Sequence, residues 1–279
     1  MKDGASGTLS VAALLALAVA GCNTSSSPGR SDLGEDCTAR PASVITVPQP
    51  APATVFRVLV FSRHLGFAHA SIPIGIEAVT ALGAATGFGV DATEDPSRFT
   101  DAGLAPYRAV VFLNTTGDVL DTPQQAAMER FIAAGNGWVG IHAAADTEYD
   151  WAWYQGLFGA RFIGHSTVQT ATIAVVDTAN ASTRRLAPSL ARVDEWYNFA
   201  TQPAAGARIL VRVDEPSYSG GRMGALHPVT WLRSYGGGRA WFTSMGHTSC
   251  AYTERPFLEH IRGGILWSAG NDGMPAAPL

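Results

Sequence analysis

Short apolar runs recur along the chain and are separated by segments with mixed polarity. The runs at 56–62, 109–113 and 138–141 are almost wholly apolar, as expected for strands that are buried on both faces. Three later runs alternate or continue in the same way and predict further strands. The predicted strands cover residues 56–62, 109–113, 138–141, 170–177, 208–214 and 239–245.

Between these strands, apolar residues repeat with the period of a helix. The segment after Ser71, a predicted N-cap, places its apolar residues on one helical face. Residues 122–135 predict a second helix, with Thr122 as N-cap and Gln125 at the capping-box position. Residues 255–270 predict a closing helix.

Alternating strands and helices predict an α/β fold with a mostly parallel sheet and helices on both of its faces. One domain from 54 to 272 accounts for the whole pattern, and the sequence contains no internal repeat. The stretch 164–239 carries more strand than helix signal. It predicts an inserted or edge β layer.

Residues 1–53 predict a targeting signal followed by a tether rather than a folded domain. Leu9–Ala20 is apolar and too short to span a bilayer, so it is typical of a signal-peptide core. It ends in VAGC, which resembles the bacterial lipoprotein signal and implies a lipid anchor at Cys22, at the cell envelope; an ordinary secretory signal is the alternative. The predicted divisions are a signal peptide (1–21), a disordered tether (22–53), the domain (54–272) and a C-terminal tail (273–279).

Composition excludes several kinds of chemistry. The net charge of -4 argues against nucleic acid as the main partner. Lys2 is the only lysine, which excludes lysine Schiff-base chemistry and a Walker-type phosphate loop from the mature protein. An oxidising compartment would permit Cys37 and Cys250 to pair, and the sequence leaves this open.

Histidines cluster after the buried strands, where open parallel sheets bind their ligands. His64 and His69 follow the first strand, His142 and then Asp146 follow the third, and His247 follows the strand at 239–245. Asn114 comes directly after the second strand. Four of the seven histidines therefore predict one cleft at one rim. Whether His165 and His227 face that cleft is left open by their position in the later β region.

The motif DEWYNF (194–199) supplies a second group of candidates. Glu195 predicts a carboxylate that orients a histidine, and Tyr197 a hydroxyl that binds substrate. The alternative is a loop with a half-buried tryptophan. Aromatic residues such as Trp231 are available to line a cleft that mixes histidine, carboxylate and amide groups. Such a cleft suits a carbohydrate, which offers apolar C–H faces and many hydroxyls.

Metal binding is the rival use of these histidines. No HExxH or HxH pair occurs in the chain. A zinc site would therefore have to be assembled from separate loops, with His69, His142 and His247 as its ligands.

Several of these segments together resemble the trehalose-utilisation, or ThuA-like, family between residues 55 and 270. They are VLVFSRHLGFAHASI, GNGWVGIHAAADT, FIGHS, DEWYNF, HPVTWLRSYGGGRAWFTSMGHT and FLEHIRGGILWSAG. The resemblance implies a flavodoxin-like three-layer sandwich, similar to class I glutamine amidotransferases. It puts His142 at the turn where those enzymes carry a cysteine nucleophile, and His247 at the place of their catalytic histidine. Glutaminase chemistry is therefore disfavoured.

The resemblance also implies an activity on trehalose-like disaccharides through 3-keto sugars. His142 is then the expected base or acid and His247 its partner, with Asp146 or Glu195 as orienting acids. The expected substrate-binding residues are His69, Asn114, His165, Tyr197 and Trp231.

The expected protein is a carbohydrate-processing isomerase, lyase or hydrolase whose partner is a small sugar. No cofactor is predicted apart from a divalent metal on the histidines as the alternative. A non-catalytic, surface-tethered carbohydrate-binding protein is the second hypothesis.

Overall fold

The computed structural model describes residues 1, 41–48, 51–274 and 279. Cys22 and Cys37 lie outside these residues, so the lipid anchor, the signal peptide and a pairing of Cys37 with Cys250 stay predictions. Among the described residues, no helix has the length and the apolar character needed to cross a membrane.

Eleven strands and five α-helices make up the described part of the chain. The strands are β1 (Phe56–Phe61), β2 (Phe88–Thr93), β3 (Ala109–Leu113), β4 (Gly137–Ile141), β5 (Phe162–His165), β6 (Gln169–Val175), β7 (Ser189–Asp194), β8 (Tyr197–Phe199), β9 (Arg208–Val213), β10 (Pro228–Tyr235) and β11 (Gly238–Thr243). The helices are α1 (Ile72–Thr86), α2 (Asp101–Leu104), α3 (Thr122–Ala133), α4 (Ala152–Phe158) and α5 (Arg255–Ser268).

A nine-stranded sheet forms the centre of the fold, in the order β2-β1-β3-β4-β11-β10-β9-β6-β7. The first five strands of that order run parallel. The strands β10, β9, β6 and β7 continue the sheet by antiparallel pairing. The strands β5 and β8 pair separately as a two-stranded sheet. The predicted β-rich stretch thus lies at the edge, where it extends the central sheet.

Successive residues of the central strands enter two different cores. Val58 and Val60 of β1 pack in the core that contains residues of α1 and α5. Leu59 and Phe61 pack on the other face, with residues of α3 and α4. Because both faces are covered, these strands are almost wholly apolar. The result is the predicted flavodoxin-like three-layer α/β sandwich.

The six predicted strands and three predicted helices all form, within a few residues of their expected ends. One prediction at a helix start is wrong. The N-cap of α3 is Asp121 rather than Thr122, and Gln124 rather than Gln125 completes the capping box. Asp121 accepts the backbone N–H of Gln124 at 3.0 Å, and the Gln124 amide oxygen accepts the backbone N–H of Asp121 at 2.9 Å.

Candidate functional site

Three strand-end histidines meet at the rim formed by the carboxyl ends of the parallel strands. His69 lies in the loop between β1 and α1, His142 directly follows β4, and His247 lies in the loop after β11. The centroids of their rings are 5.0, 5.2 and 5.1 Å apart. The fold therefore brings together side chains that are far apart in sequence: His69 and His247 are separated by 178 positions.

The backbone at His142 turns sharply. This residue has a φ of 50°, and the chain passes from β4 straight into a 3₁₀ helix, His142–Asp146. A left-handed backbone at a residue other than glycine costs about 1–3 kcal/mol and occurs most often at functional sites. The turn retains the abrupt strand end expected from the sequence, with an imidazole at its first residue.

Hydrogen bonds fix the proton on His142. Its Nδ1 lies 2.7 Å from the Ser244 carbonyl oxygen, which can only accept, so Nδ1 carries the hydrogen. In the neutral ring, Nε2 then presents a lone pair. The Tyr197 hydroxyl lies 2.9 Å from Nε2, and His247 Nδ1 lies 3.1 Å from it. His142 itself is fully buried beneath these two side chains.

Glu195, in the loop between β7 and β8, joins the histidines through both carboxylate oxygens. Its Oε1 accepts a hydrogen bond from His165 Nδ1 at 2.8 Å. Its Oε2 lies 3.3 Å from His247 Nδ1 and 3.5 Å from His142 Nε2. Burial alone would raise the pKa of this carboxyl, but its interactions with the neighbouring histidines hold it well below its usual range. Glu195 therefore stays ionised within the cluster.

His165 and Glu195 form the most accessible pair of the cluster. The side chain of His165 is 46% exposed, against 6% for Glu195. The hydrogen bond to Glu195 raises the pKa of His165, and burial opposes it. His165 Nδ1 also lies 2.8 Å from the Ser166 carbonyl oxygen. Both neighbours of Nδ1 are acceptors, so Nδ1 carries a hydrogen and Nε2 is the nitrogen that remains for proton exchange.

His69 is buried with a polar atom that lacks a partner. Only 7% of the residue is exposed, and Nδ1 has no hydrogen-bond partner among the described residues. Burial, followed by the neighbouring His142 and His247, lowers the pKa of His69 to about 2. Its imidazole is therefore neutral at physiological pH.

A cavity of about 100 Å³ opens onto this cluster. Its lining residues are Phe67, His69, Asp146, Phe162, His165, Glu195, Tyr197 and His247. Asp146 is on this wall, where its carboxylate accepts the Tyr149 hydroxyl at 2.8 Å. Burial raises the pKa of Asp146, although that hydrogen bond opposes the shift. Of the two acids expected to orient histidines, Glu195 is the one hydrogen-bonded to them.

Two expected substrate-binding residues lie away from the cavity lining. Asn114 is fully buried, and its amide nitrogen donates to Ser71 Oγ at 3.0 Å. Trp231 packs against aromatic side chains of the core, and its Nε1 donates to the Phe158 carbonyl oxygen at 2.9 Å. The exposed aromatic face at the cavity belongs instead to Phe67, which is 57% exposed.

His227 supports the site from outside the cavity. Its Nδ1 lies 2.7 Å from Glu215 Oε1, and its Nε2 lies 2.7 Å from the carbonyl oxygen of Tyr197. It therefore fixes the backbone of the residue whose hydroxyl contacts His142.

Asp194 is a site residue that sequence reasoning did not single out. This buried carboxylate accepts the backbone N–H groups of Gly246 at 2.9 Å and His247 at 3.0 Å. It also accepts the backbone N–H of Glu195 at 3.0 Å and Arg192 Nε at 3.2 Å. The acid at the end of β7 thus fixes both Glu195 and the loop that carries His247. An adjacent acid pair after a strand was the only sequence signal.

Gly246 allows that loop to approach the core. Its φ is 113°, and a Cβ there would lie 2.9 Å from the Tyr252 hydroxyl and 3.1 Å from a methyl of Ile141. Glycine is therefore required directly before His247, both for its backbone conformation and for lack of space.

The sequence model of the ThuA family, described as trehalose utilisation, matches residues 57–268. Among curated proteins, none matches the chain. A solved structure described as a ThuA-like protein from Bacteroides uniformis is similar with a TM-score of 0.66 and 21% identity, over 77% of this chain and 92% of that chain.

A second protein described as ThuA-like, from Parabacteroides merdae, is similar with a TM-score of 0.64 and 17% identity, over 77% and 90% of the two chains. A cytoplasmic protein from Salmonella typhimurium has a TM-score of 0.56 at 8% identity, over 76% and 98%. At these identities the solved structures bear on the fold alone.

Proposed function

Because the chain belongs to the trehalose-utilisation family, ThuA, we propose that it is an enzyme acting on a disaccharide or its 3-keto derivative by proton transfer. The reaction takes place in the cavity that His165 and Glu195 line. The enzyme is held at the bacterial cell envelope by the lipid anchor expected at Cys22.

The observation that carries this proposal is the hydrogen bond between His165 and Glu195 at the cavity wall. A carboxylate on one ring nitrogen fixes the tautomer and stabilises the imidazolium that forms when the other nitrogen takes a proton. In a 3-keto sugar, the carbonyl makes the neighbouring C–H acidic. His165 removes that proton. In an isomerisation it returns the proton to an adjacent atom. In an elimination a C=C bond forms as the bond to the glycosidic oxygen breaks, and the departing oxygen takes up the proton that His165 holds.

Two phenylalanines support a sugar as the substrate. Phe67 and Phe162 line the cavity next to Asp146, His165 and Glu195. Apolar rings can cover the C–H face of a sugar while carboxylates and imidazoles bind its hydroxyls. The same cavity therefore presents both kinds of surface that a carbohydrate requires.

His142 takes a different role from the one expected for it. It is fully buried, and Ser244, Tyr197 and His247 already surround its ring nitrogens. We therefore assign direct proton exchange with the substrate to His165 rather than to His142.

The test compares two histidine variants of the full chain on 3-keto and unmodified disaccharides. For His165→Asn we expect turnover to fall by about 100-fold or more, with sugar binding largely retained, since general acid–base catalysis contributes about that much. His64→Asn is the matched control, because His64 also holds a backbone carbonyl oxygen through Nδ1, at 3.3 Å, and does not line the cavity. It should keep wild-type turnover.

Two outcomes would contradict the proposal. Equal turnover in His165→Asn and the wild type would remove His165 from the reaction. Sugar binding without turnover of any substrate would favour the non-catalytic carbohydrate-binding protein.

A further inference from the structure

We propose that His69, His142, His247 and Glu195 bind one divalent transition-metal ion at the base of the cavity. This inference deepens the proposed function, because the ion would contact the sugar in the same cavity. Ion binding can nevertheless be measured without any substrate.

The first argument is the spacing of three ligand atoms. His142 Nε2 and His247 Nδ1 are 3.1 Å apart, and Glu195 Oε2 lies 3.5 and 3.3 Å from them. Atoms bound tetrahedrally to one zinc ion at ordinary bond lengths are separated by about 3.3 Å. These three atoms therefore already surround a common point at the distance that a single ion requires.

The second argument is the arrangement of the three imidazoles. Each of His69, His142 and His247 offers a nitrogen, and these nitrogens all lie within 4.8 Å of one another. The ring planes meet at 88°, 82° and 74°, and the centroid spacings are nearly equal. Three imidazoles on one tetrahedral ion have centroids about 5 Å apart. The observed spacing of 5.0–5.2 Å agrees with this value.

The third argument is the support behind the ligand atoms. His142 donates its Nδ1 hydrogen to the Ser244 carbonyl oxygen, which leaves Nε2 as the ligating atom. Glu195 uses its second oxygen for His165. Metal-bound histidines and carboxylates are typically held by such outer hydrogen bonds. Nδ1 of His69 is buried without a partner among the described residues, and such a group needs an explanation.

The charges and donor types indicate which ion fits. The described residues that line the cavity include Asp146 and Glu195 but no arginine or lysine, so the cavity attracts cations. Three imidazoles and one carboxylate suit zinc, cobalt, iron or nickel better than calcium or magnesium, which prefer oxygen ligands. At the cavity, such an ion would polarise a carbonyl or hydroxyl oxygen of the sugar.

The hydroxyl of Tyr197 provides a variant that separates a metal site from a simple hydrogen-bond cluster. This hydroxyl lies 2.9 Å from His142 Nε2, whose lone pair an ion would need. An ion therefore displaces this hydrogen bond. We expect Tyr197→Phe to bind the ion at least as tightly as the wild type.

The experiment titrates the chelator-treated full chain with Co²⁺, followed by its visible absorption, and with Zn²⁺, followed by calorimetry. We expect one ion per chain and an intense visible spectrum of low-coordinate Co²⁺. The affinity should fall by roughly 100-fold in His69→Asn and Glu195→Gln, since loss of even outer-shell partners costs up to that amount. His64→Asn, on the same loop as His69, should bind like the wild type.

Several outcomes decide the inference. No ion bound by the wild type, or equal affinity in His69→Asn and the wild type, would overturn it. Thermal unfolding of His69→Asn shows whether that variant is folded, and Glu195→Gln supplies the second, independent loss. Ion binding without turnover of any sugar supports this inference and rejects the proposed enzyme. Turnover by a chain that binds no ion rejects the metal site and leaves the proposed function intact.

Discussion

The parallel and antiparallel halves of the sheet contribute different chemistry to the candidate site. The parallel half, β2-β1-β3-β4-β11, presents His69, His142 and His247 from loops at its rim. The antiparallel half, with the β5–β8 pair beside it, supplies Glu195, His165 and Tyr197. Three imidazoles come from the parallel half, whereas the carboxylate that contacts them and the Tyr197 hydroxyl come from the antiparallel half. Neither half contains the site alone.

Asp194, in the antiparallel half, holds a loop of the parallel half in place. It ends β7 at the antiparallel edge, yet it binds the backbone of Gly246 and His247 after β11. The sheet alone therefore does not fix the position of His247. A buried carboxylate from the opposite edge then sets the loop that carries His247.

Asp194→Asn should have the largest effect, because it breaks this link. An amide cannot accept all four hydrogen bonds, and Arg192 loses a buried partner. We expect the free energy of unfolding to fall by about 3 kcal/mol, as for other broken buried ion pairs. Denaturant titration measures this. Asp101→Asn, which breaks an exposed pair with Arg130, is the control and should be close to wild type. A small change in Asp194→Asn would mean that the halves are held together elsewhere.

Glu195→Gln tests the charge that the antiparallel half contributes. We expect turnover to fall by about 100-fold or more, because His165 loses the carboxylate that stabilises its protonated form. Glu215→Gln is the matched control, since Glu215 also holds a histidine, His227, at 2.7 Å but does not line the cavity. Equal losses of turnover in the two variants would indicate a general structural effect. They would contradict the role of Glu195 in stabilising the protonated form of His165.

Tyr197→Phe tests the single hydroxyl that joins the two halves through His142. It removes one hydrogen bond, so we expect a loss of about 1 kcal/mol in the free energy of unfolding and a small fall in turnover. Tyr218→Phe is the control, because the Tyr218 hydroxyl contacts His227 at 3.1 Å in the same tyrosine–histidine arrangement. It should cost a similar amount of stability and leave turnover unchanged. If Tyr218→Phe lost turnover and Tyr197→Phe did not, the hydroxyl that matters for turnover would be that of Tyr218 and not that of Tyr197.

The last expected effect is a pH dependence, and it concerns a buried glutamate of the parallel half. Glu148 accepts the backbone N–H of Leu120 at 2.7 Å and the Gln125 amide at 2.8 Å. Burial raises its pKa from 4.5 to about 7, whereas Glu195 is shifted in the opposite direction. Between pH 4.5 and about 7, Glu148 keeps its proton in the folded chain and has lost it in the unfolded chain. Stability should therefore fall as the pH rises through this range.

The measurement is the free energy of unfolding at several pH values. Glu148→Gln should flatten the slope between pH 4.5 and 7, where Glu148 titrates. Glu94→Gln, a change of the same kind at an exposed position, is the control. Parallel curves for Glu148→Gln and the wild type would show that Glu148 is ionised in the folded protein.

Most of the parallel half could be predicted because its signals are local. The strands β1, β3 and β4 are short apolar runs, and the residues that follow them necessarily lie at one rim. The edge strand β2 escaped prediction, since its pattern FGVDAT is only partly buried and mixes polar with apolar positions. The N-cap of α3 was displaced by one residue, because Asp121 and Thr122 are both good capping residues and only the hydrogen bonds distinguish them.

The antiparallel half was predicted only in outline. Strands β5, β7, β8 and β10 were not recognised individually, although the β-rich character of the stretch was. Trp231 was expected at the cleft, but it lies on the face of β10 that packs into the core. Asn114 was expected to bind substrate, but its amide ties Ser71 into place. Both residues follow or form predicted strands, and the direction of a side chain depends on neighbours far away in sequence.

The α/β alternation and the row of histidines at strand ends could be derived from the amino-acid sequence, since both follow from local patterns. Which side chains meet depends instead on contacts between distant parts of the folded chain. Glu195 reaches the histidines because β6 and β7 pair antiparallel and because Asp194 accepts hydrogen bonds from the loop after β11. The hydrogen bonds from that loop to Asp194 join residues more than 50 positions apart, and no local pattern specifies them.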